Sequence, residues 1–452
     1  MRQQSRPADP VPSKAEDLLF GKILWRLMPI LFISYIVAYI DRVNVGFAKL
    51  QMLQDLNFSA EVYGLGSGIF FVGFLLFEIP SNLLLYRFGA RAWLTRIMVT
   101  WGILSVLTMF VTTPTQFYIV RFLLGVAEAG FLPGVVYYLA QWFPPQRQGR
   151  VMATLVTAAA AGGMIVGPLS GWIMDVFSES QHLHNWQWLF LLQGLPAVFV
   201  AALLWATLPN RPEDAKWLSQ EEKALLHILN QDAQRELPRK DKIAEVLGKP
   251  NVWWLACVLL SLNLGIYAVI FWTPTIIQEA GIKNLTHIGY IAALPYAASA
   301  LVMLILGRSS DYFGERRWHL AIACAGGAIG LLMTALAPDP TVRIIGVIIA
   351  TAMFIGGTPL VWALGGNFMS GRAAATGYAL INAVAALGGL FGPYAMGLAQ
   401  EMSGSTSTAV LTIAGLAVLG GLCVFALPTA RQQNALDQAA KLHAVPCKGG
   451  AQ

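Results

Sequence analysis

The chain has 452 residues, 56% of them hydrophobic and 12% charged; soluble globular proteins carry about a quarter charged residues, so a soluble domain with a large core is excluded. The formal net charge of +6 would suit a nucleic-acid ligand, but the basic residues flank long apolar runs, as membrane loops do, and no nucleic-acid partner is expected. The four cysteines, Cys257, Cys324, Cys423 and Cys447, have neither CxxC nor metal-ligand spacing, so no metal site and no cofactor is expected.

Residues 1–23 form a polar tail, with no cleaved leader expected. Apolar runs of about 20 residues can cross hydrocarbon as helices. They predict spans over 24–47, 62–86, 93–112, 115–141, 149–176 and 186–208, a first six-helix bundle at 24–208. Residues 209–250 are rich in charge and read as a linker. Within them Ser219 and Glu222 have capping-box spacing, and Leu218, Leu225, Leu226 and Leu229 follow at helical intervals, which predicts a surface helix. Spans over 251–277, 286–307, 318–337, 342–364, 372–399 and 407–428 make a second bundle at 251–428, followed by a tail at 429–452. Trp186 and Trp188 open the sixth span, Trp253 and Trp254 the seventh, and all four read as interfacial anchors.

Orientation follows from the basic residues. With both termini cytoplasmic, 25 of the 30 Lys and Arg residues fall at cytoplasmic segments. Lys49, Lys283 and Arg343 fall in outer segments, and Arg42 and Arg121 within spans. That bias predicts cytoplasmic termini. The halves also repeat. Gly89, Arg91 and Trp93 recur at one constant offset as Gly314, Arg316 and Trp318, and Gly167-Pro168 recurs at the same offset as Gly392-Pro393. A duplicated six-span unit is the plan of a transporter whose halves rock about a central site.

Ionisable residues within spans are functional candidates by default, because hydrocarbon makes them costly. Asp41, Arg42, Glu78, Arg121 and Glu128 qualify, all in the first half. The second half offers neutral polar groups, among them Asn263, Tyr267, Asn367, Tyr378 and Asn382. The predicted spans put Asp41, Arg42 and Arg121 in one outer layer and Glu128 about 10 Å deeper. Two arginines against one aspartate leave positive charge for a carboxylate, which guanidinium grips through two parallel hydrogen bonds. A carboxyl alone in a low-dielectric interior favours its neutral form. Arg42 and Arg121 are therefore expected to bind substrate, with Asn382, Tyr267 and Asn263 completing the site. Asp41 and Glu128 are expected to carry protons. The competing reading is a structural ion pair of Asp41 with Arg42 or Arg121. Glu78, beside Pro80, reads as structural. No acid dyad, Ser/His pair or metal cluster shares one depth, so no enzyme is expected.

The loop Gly307-x-x-x-Asp311-x-x-Gly314-x-Arg316 resembles the cytoplasmic gate motif of the major facilitator superfamily. Its copy in the first half keeps Arg87, Gly89 and Arg91 but has Asn82 and Tyr86 where the motif has Gly and Asp. Further segments resemble the anion:cation symporter family, which includes bacterial tartrate, phthalate and 4-hydroxyphenylacetate permeases. They are Tyr39-Ile-Asp41-Arg42-Val-Asn44, Phe77-Glu-Ile-Pro80, the Arg121–Pro133 stretch with Glu128, Trp142-Phe-Pro144 and Trp186-x-Trp188. The resemblance implies an all-α fold of 12 transmembrane helices in two pseudo-symmetric bundles. It also implies proton-coupled import of a small organic acid anion across a bacterial inner membrane, by a monomer in the lipid bilayer. Uniport or exchange of the anion, and a sensor without transport, are the alternatives.

Overall fold

The computed structural model describes residues 14–235, 248–366, 369 and 371–427. Span 1 comprises α1 (Lys14–Val43) and α2 (Val45–Leu56), followed by α3 (Ala60–Phe88) and α4 (Ala90–Leu107). Span 4 comprises α5 (Pro114–Glu128) and α6 (Phe131–Ala140), followed by α7 (Pro145–Val176) and α8 (Asn185–Thr207). After the linker helix α9 (Gln220–Arg235) come α10 (Pro250–Glu279), α11 (Leu285–Phe313), α12 (Arg317–Leu336), α13 (Pro340–Gly365), α14 (Gly371–Ser403) and α15 (Ser407–Cys423). Among the described residues, 12 spans are long and apolar enough to cross a membrane. Asn367 and the tail with Cys447 lie outside the described residues.

Local chemistry sets the ends. Ser59 and Asn284 cap α3 and α11 by accepting from Val62 N at 3.2 Å and His287 N at 2.8 Å. Thr113 and Gln116 form a capping box at α5, with Pro114 in its first turn. The gate-loop glycines terminate equivalent helices: Gly89 with φ 85° ends α3 and Gly314 with φ 62° ends α11, conformations that disfavour a Cβ. The predicted capping box of α9 is present, with Glu222 Oε2 accepting from Ser219 N at 2.7 Å and Ser219 Oγ from Glu222 N at 3.1 Å. Lys22 Nζ also reaches Glu222, at 2.8 Å, and ties α9 to α1. The Lys22 bond, then the Ser219 backbone, hold the Glu222 carboxyl below its usual range, so this tie is lost as pH falls below that range.

Two placements differ from the sequence expectation. Trp186 is buried and donates to Asp55 Oδ2 at 2.9 Å, so it packs inward rather than anchoring at an interface. Span 1 continues to Leu56, well past its predicted end at 47, which moves Lys49 from an outer loop into a buried helical position.

The halves meet at the end opposite the termini. Tyr63 Oη donates to Phe271 O at 2.9 Å, Thr286 Oγ1 to Asp175 Oδ2 at 2.9 Å and Ala60 N to Glu401 Oε2 at 3.2 Å. At the closed end small residues let backbones touch, as between membrane helices generally. A Cβ on Gly64 would stand 2.6 Å from Pro393 O, a backbone atom with little freedom to yield. Gly64→Ala is therefore expected to wedge this end open while each bundle keeps its fold. Thiol labelling of an Ala60→Cys reporter should rise severalfold, with the unfolding midpoint shifted by no more than a few degrees. Unchanged labelling would show that this contact does not hold the closure.

Candidate functional site

Span 4 breaks at its charged residue. Ala129 leaves the helix with ψ 132°, and Gly130 turns the chain with φ 83° before α6 begins. The last carbonyls of α5 are left at mid-membrane beside Glu128, a helix terminus that favours a cation. Arg42 supplies it: its Nη2 pairs with Glu128 Oε1. The Arg42 guanidinium also lies 5.7 Å from the ring centroids of both Phe70 and Phe74.

Asp41, 3% exposed, faces the other way. Ser105 Oγ donates to Asp41 Oδ1, and Asn44 Nδ2 donates to the same oxygen at 3.2 Å. Asp41 Oδ2 is buried without a hydrogen-bond partner. Arg121 is 1% exposed, its guanidinium 5.1 Å from the Phe70 centroid, and its Nε and Nη2 have no partner. The half-buried Arg42 and the buried Arg121 thus lie among two buried anions, with hydrogen-bonding capacity unfilled on Asp41, on Arg121 and at Arg42 Nε. Unfilled polar capacity in a buried site costs stability and suits a site that takes up a ligand or proton.

The expected layering needs correction. Arg42 lies as far before the end of α2 at Leu56 as Glu128 lies after the start of α5 at Pro114. Since every helical residue advances the chain by the same rise, the two share a depth, and Glu128 is a partner of Arg42 rather than a solitary acid below it. The expectation failed because it ended span 1 too early. Neither Asp41–Arg42 nor Asp41–Arg121 forms an ion pair among the described residues, so the competing structural pair is absent in that form.

The neutral residues divide. Asn382 on α14 is half-buried, and no hydrogen bond ties its side chain to the described residues. Tyr267 packs on Phe71, ring centroids 4.5 Å apart, with Arg42 in electrostatic reach of its hydroxyl. Asn263 instead donates to Ala385 O at 3.1 Å, where Gly388 lets α14 approach α10, so that group joins helices. Glu78 is half-buried near the terminus side of α3, apart from the cluster.

At the gate loops, Arg316 Nη1 donates to Ala363 O at 2.8 Å and its Nη2 stands 3.7 Å from Asp311 Oδ1. A Cβ on Gly307 would meet nothing within 4 Å. In the first half, Arg91 N donates to Asn210 Oδ1 at 3.1 Å and its guanidinium lies 4.5 Å from the Trp205 centroid. Arg87 lies 5.6 Å from the Phe88 ring. Tyr86, which replaces the motif's Asp, packs at a tilt against Tyr137 with centroids 4.3 Å apart. A ring contact thus stands where the second half has a charge contact. Among the described residues, no group of three or more His, Cys, Asp or Glu could hold a metal ion.

Two buried polar residues, Ser105 in the cluster and Lys49 outside it, escaped the sequence. Ser105 is a lone hydroxyl in an apolar span, and nothing in its neighbourhood marks it as a partner of Asp41. Lys49 was hidden by the misplaced end of span 1.

Two bundles of membrane-spanning helices around buried charges beside a broken helix define a multi-pass membrane transporter. The sequence profile of the Major Facilitator Superfamily matches residues 31–393, and the chain belongs to that superfamily. It is 46% identical over 412 residues to the "Putative metabolite transport protein NicT" of Pseudomonas putida, covering 91% of this chain and 94% of that one. It is 39% identical over 423 residues to a "Putative tartrate transporter" of Agrobacterium vitis, covering 93% and 97%. Its fold matches the inward-open xylose transporter XylE of E. coli with a TM-score of 0.72 at 17% identity, over 92% of this chain and 99% of that one.

Proposed function

We propose that the protein is a proton-coupled symporter importing a small organic acid anion, a tartrate-like hydroxy-dicarboxylate or an aromatic carboxylate, across a bacterial inner membrane. Its termini lie in the cytoplasm, and the bundles 24–208 and 251–428 rock about the linker 209–250, the gate loops with Arg91 and Arg316 closing together at the cytoplasmic face. The observation that carries this reading is the pairing of Arg42 with Glu128 beside the break in span 4. One guanidinium then has two possible carboxylate partners, Glu128 and the substrate. When substrate takes Arg42, Glu128 is left buried without a counter-charge and takes up a proton, because low dielectric penalises the lone anion. Arg121 offers two unpartnered guanidinium nitrogens, Nε and Nη2, to the same substrate, and the bare Oδ2 of Asp41 offers a second proton site. Binding of anion and proton are thus linked, and each strengthens the other. The name of the tartrate-transporter relatives supports an organic acid as the substrate. Uptake of a panel of labelled acids into vesicles, with and without an inward proton gradient, tests this. Gradient-driven accumulation of tartrate or phthalate is expected; accumulation of neither acid would reject the substrate class.

Selectivity is assigned to the second half. Contacts from that half give the bundles a reason to close on substrate, and a site built to hydrogen-bond a hydroxyl rejects an analogue without it. Asn382→Ala is expected to change the ranking of acids carried and to weaken uptake of the preferred one about tenfold. The pH dependence of the remaining transport should stay as in the parent. An unchanged ranking with a shifted pH profile would place Asn382 on the proton path instead.

A further inference from the structure

Lys49 lies in the second turn of α2 and is 6% exposed. Its ammonium has no hydrogen-bond partner, and it forms no ion pair among the described residues. It rests on π faces instead, 2.9 Å from the ring centroid of Trp272 and 4.9 Å from that of Tyr63. Tyr63 belongs to the first half, as Lys49 does, whereas Trp272 belongs to the second. The cover over the ammonium is thus a side chain of the opposite bundle. The surrounding contact is close: a Cβ on Gly46 would stand 3.1 Å from Phe271 O, the carbonyl that accepts from Tyr63 Oη. The carboxylate acting on Lys49 from a distance is Glu279, whose Oε1 accepts from Gln400 Nε2 at 3.3 Å.

An ammonium is a compact, strongly hydrated charge with three N–H donors. Aromatic faces attract it but leave those donors unanswered. Such burial is tolerable in a state that exchanges with one where the donors are filled. In a superfamily that works by alternating access, this end opens and Trp272 withdraws with the second half. The uncovered ammonium then stands two helical turns beyond Arg42 on the same rod, about 10 Å nearer the opening. Arg121 lies at the same level, since Lys49 is as far from the end of α2 at Leu56 as Arg121 is from the start of α5 at Pro114. Tyr63 borders both, carrying Lys49 on its ring and lying in electrostatic reach of Arg121.

We propose that Lys49 is a capture site for an incoming carboxylate. In the state open at its end, the ammonium binds the anion; on closure, Trp272 displaces the anion toward Arg42 and takes its place over the ammonium. The identity of the anion rests on the proposed substrate class, whereas the uncovering of Lys49 does not.

The full chain in right-side-out and inside-out vesicles, with tartrate and phthalate as probes, tests the site. Lys49→Gln is expected to raise KM about tenfold for acid presented at the Lys49 end and to flatten its dependence on ionic strength. KM for acid presented at the other end should match the parent, and Lys49→Arg should restore most of the loss. Equal changes in rate in both directions with KM unaffected would make Lys49 a latch alone and overturn the capture site. Labelling with a membrane-impermeant amine reagent, read at Lys49 by mass spectrometry, needs no substrate. Modification from the Lys49 end, at least fivefold faster in Trp272→Ala than in the parent, upholds the uncovering even where neither acid is carried. No modification in either protein overturns it.

Discussion

Arg42→Ala is expected to abolish transport and to destabilise the protein by about 3–5 kcal/mol, the usual cost of leaving one member of a buried ion pair unpaired. Glu128 would be stranded at mid-membrane beside the carbonyl end of α5, which repels an anion. The loss should show as a lower unfolding midpoint in detergent, largest at neutral pH and smaller in acid, where the stranded carboxyl is neutralised. Converting both partners, as in Arg42→Met with Glu128→Leu, should recover most of that stability, because an apolar pair has no unpaired charge to bury. Transport should not return. A double variant that is as unstable as Arg42→Ala would mean that the destabilisation arises from lost packing on Phe70 and Phe74 rather than from the stranded charge.

The second large effect concerns Glu128→Gln. The amide imitates the protonated acid and cannot release a proton, so accumulation driven by a pH gradient should fall to the level of empty vesicles. Exchange of labelled for unlabelled substrate needs no net proton movement and should survive. Arg42 would also lose its resting partner, so substrate should bind at least as tightly as in the parent. A variant that still concentrates substrate against its gradient would remove Glu128 from the proton path and leave Asp41 as the carrier.

Much of this fold was legible in the sequence because a bilayer imposes one length and one polarity on every span. The gate-loop glycines and the α9 capping box were equally plain, since each serves a backbone need that few residues meet. The cluster was legible as a set of residues but not as a set of pairs. Asp41, Arg42, Arg121 and Glu128 stand out as charges in apolar runs. Which of them touch depends on depth, and depth depends on where each helix ends. Hydropathy falls at Lys49 and Gln51, yet α2 continues to Leu56, with Lys49 buried and Asp55 accepting from Trp186 Nε1. That single difference moved Arg42 to the level of Glu128 and buried Lys49. The break in span 4 was likewise signalled by Gly130, but glycine is common in membrane helices, and nothing in its sequence context distinguishes a break from close packing. Ser105 carries no signal of its own, because a hydroxyl in an apolar helix more often bonds to its own backbone.

Joint movement of anion and proton can be measured without mutation. De-energised cells making the protein are suspended in weakly buffered medium, and a carried acid such as tartrate is added while a pH electrode records the medium. The account predicts a prompt alkalinisation, abolished by a protonophore and absent from cells lacking the protein. Uptake of labelled acid at the same rate with no change in medium pH would contradict it, and would identify uniport or anion exchange on the same fold.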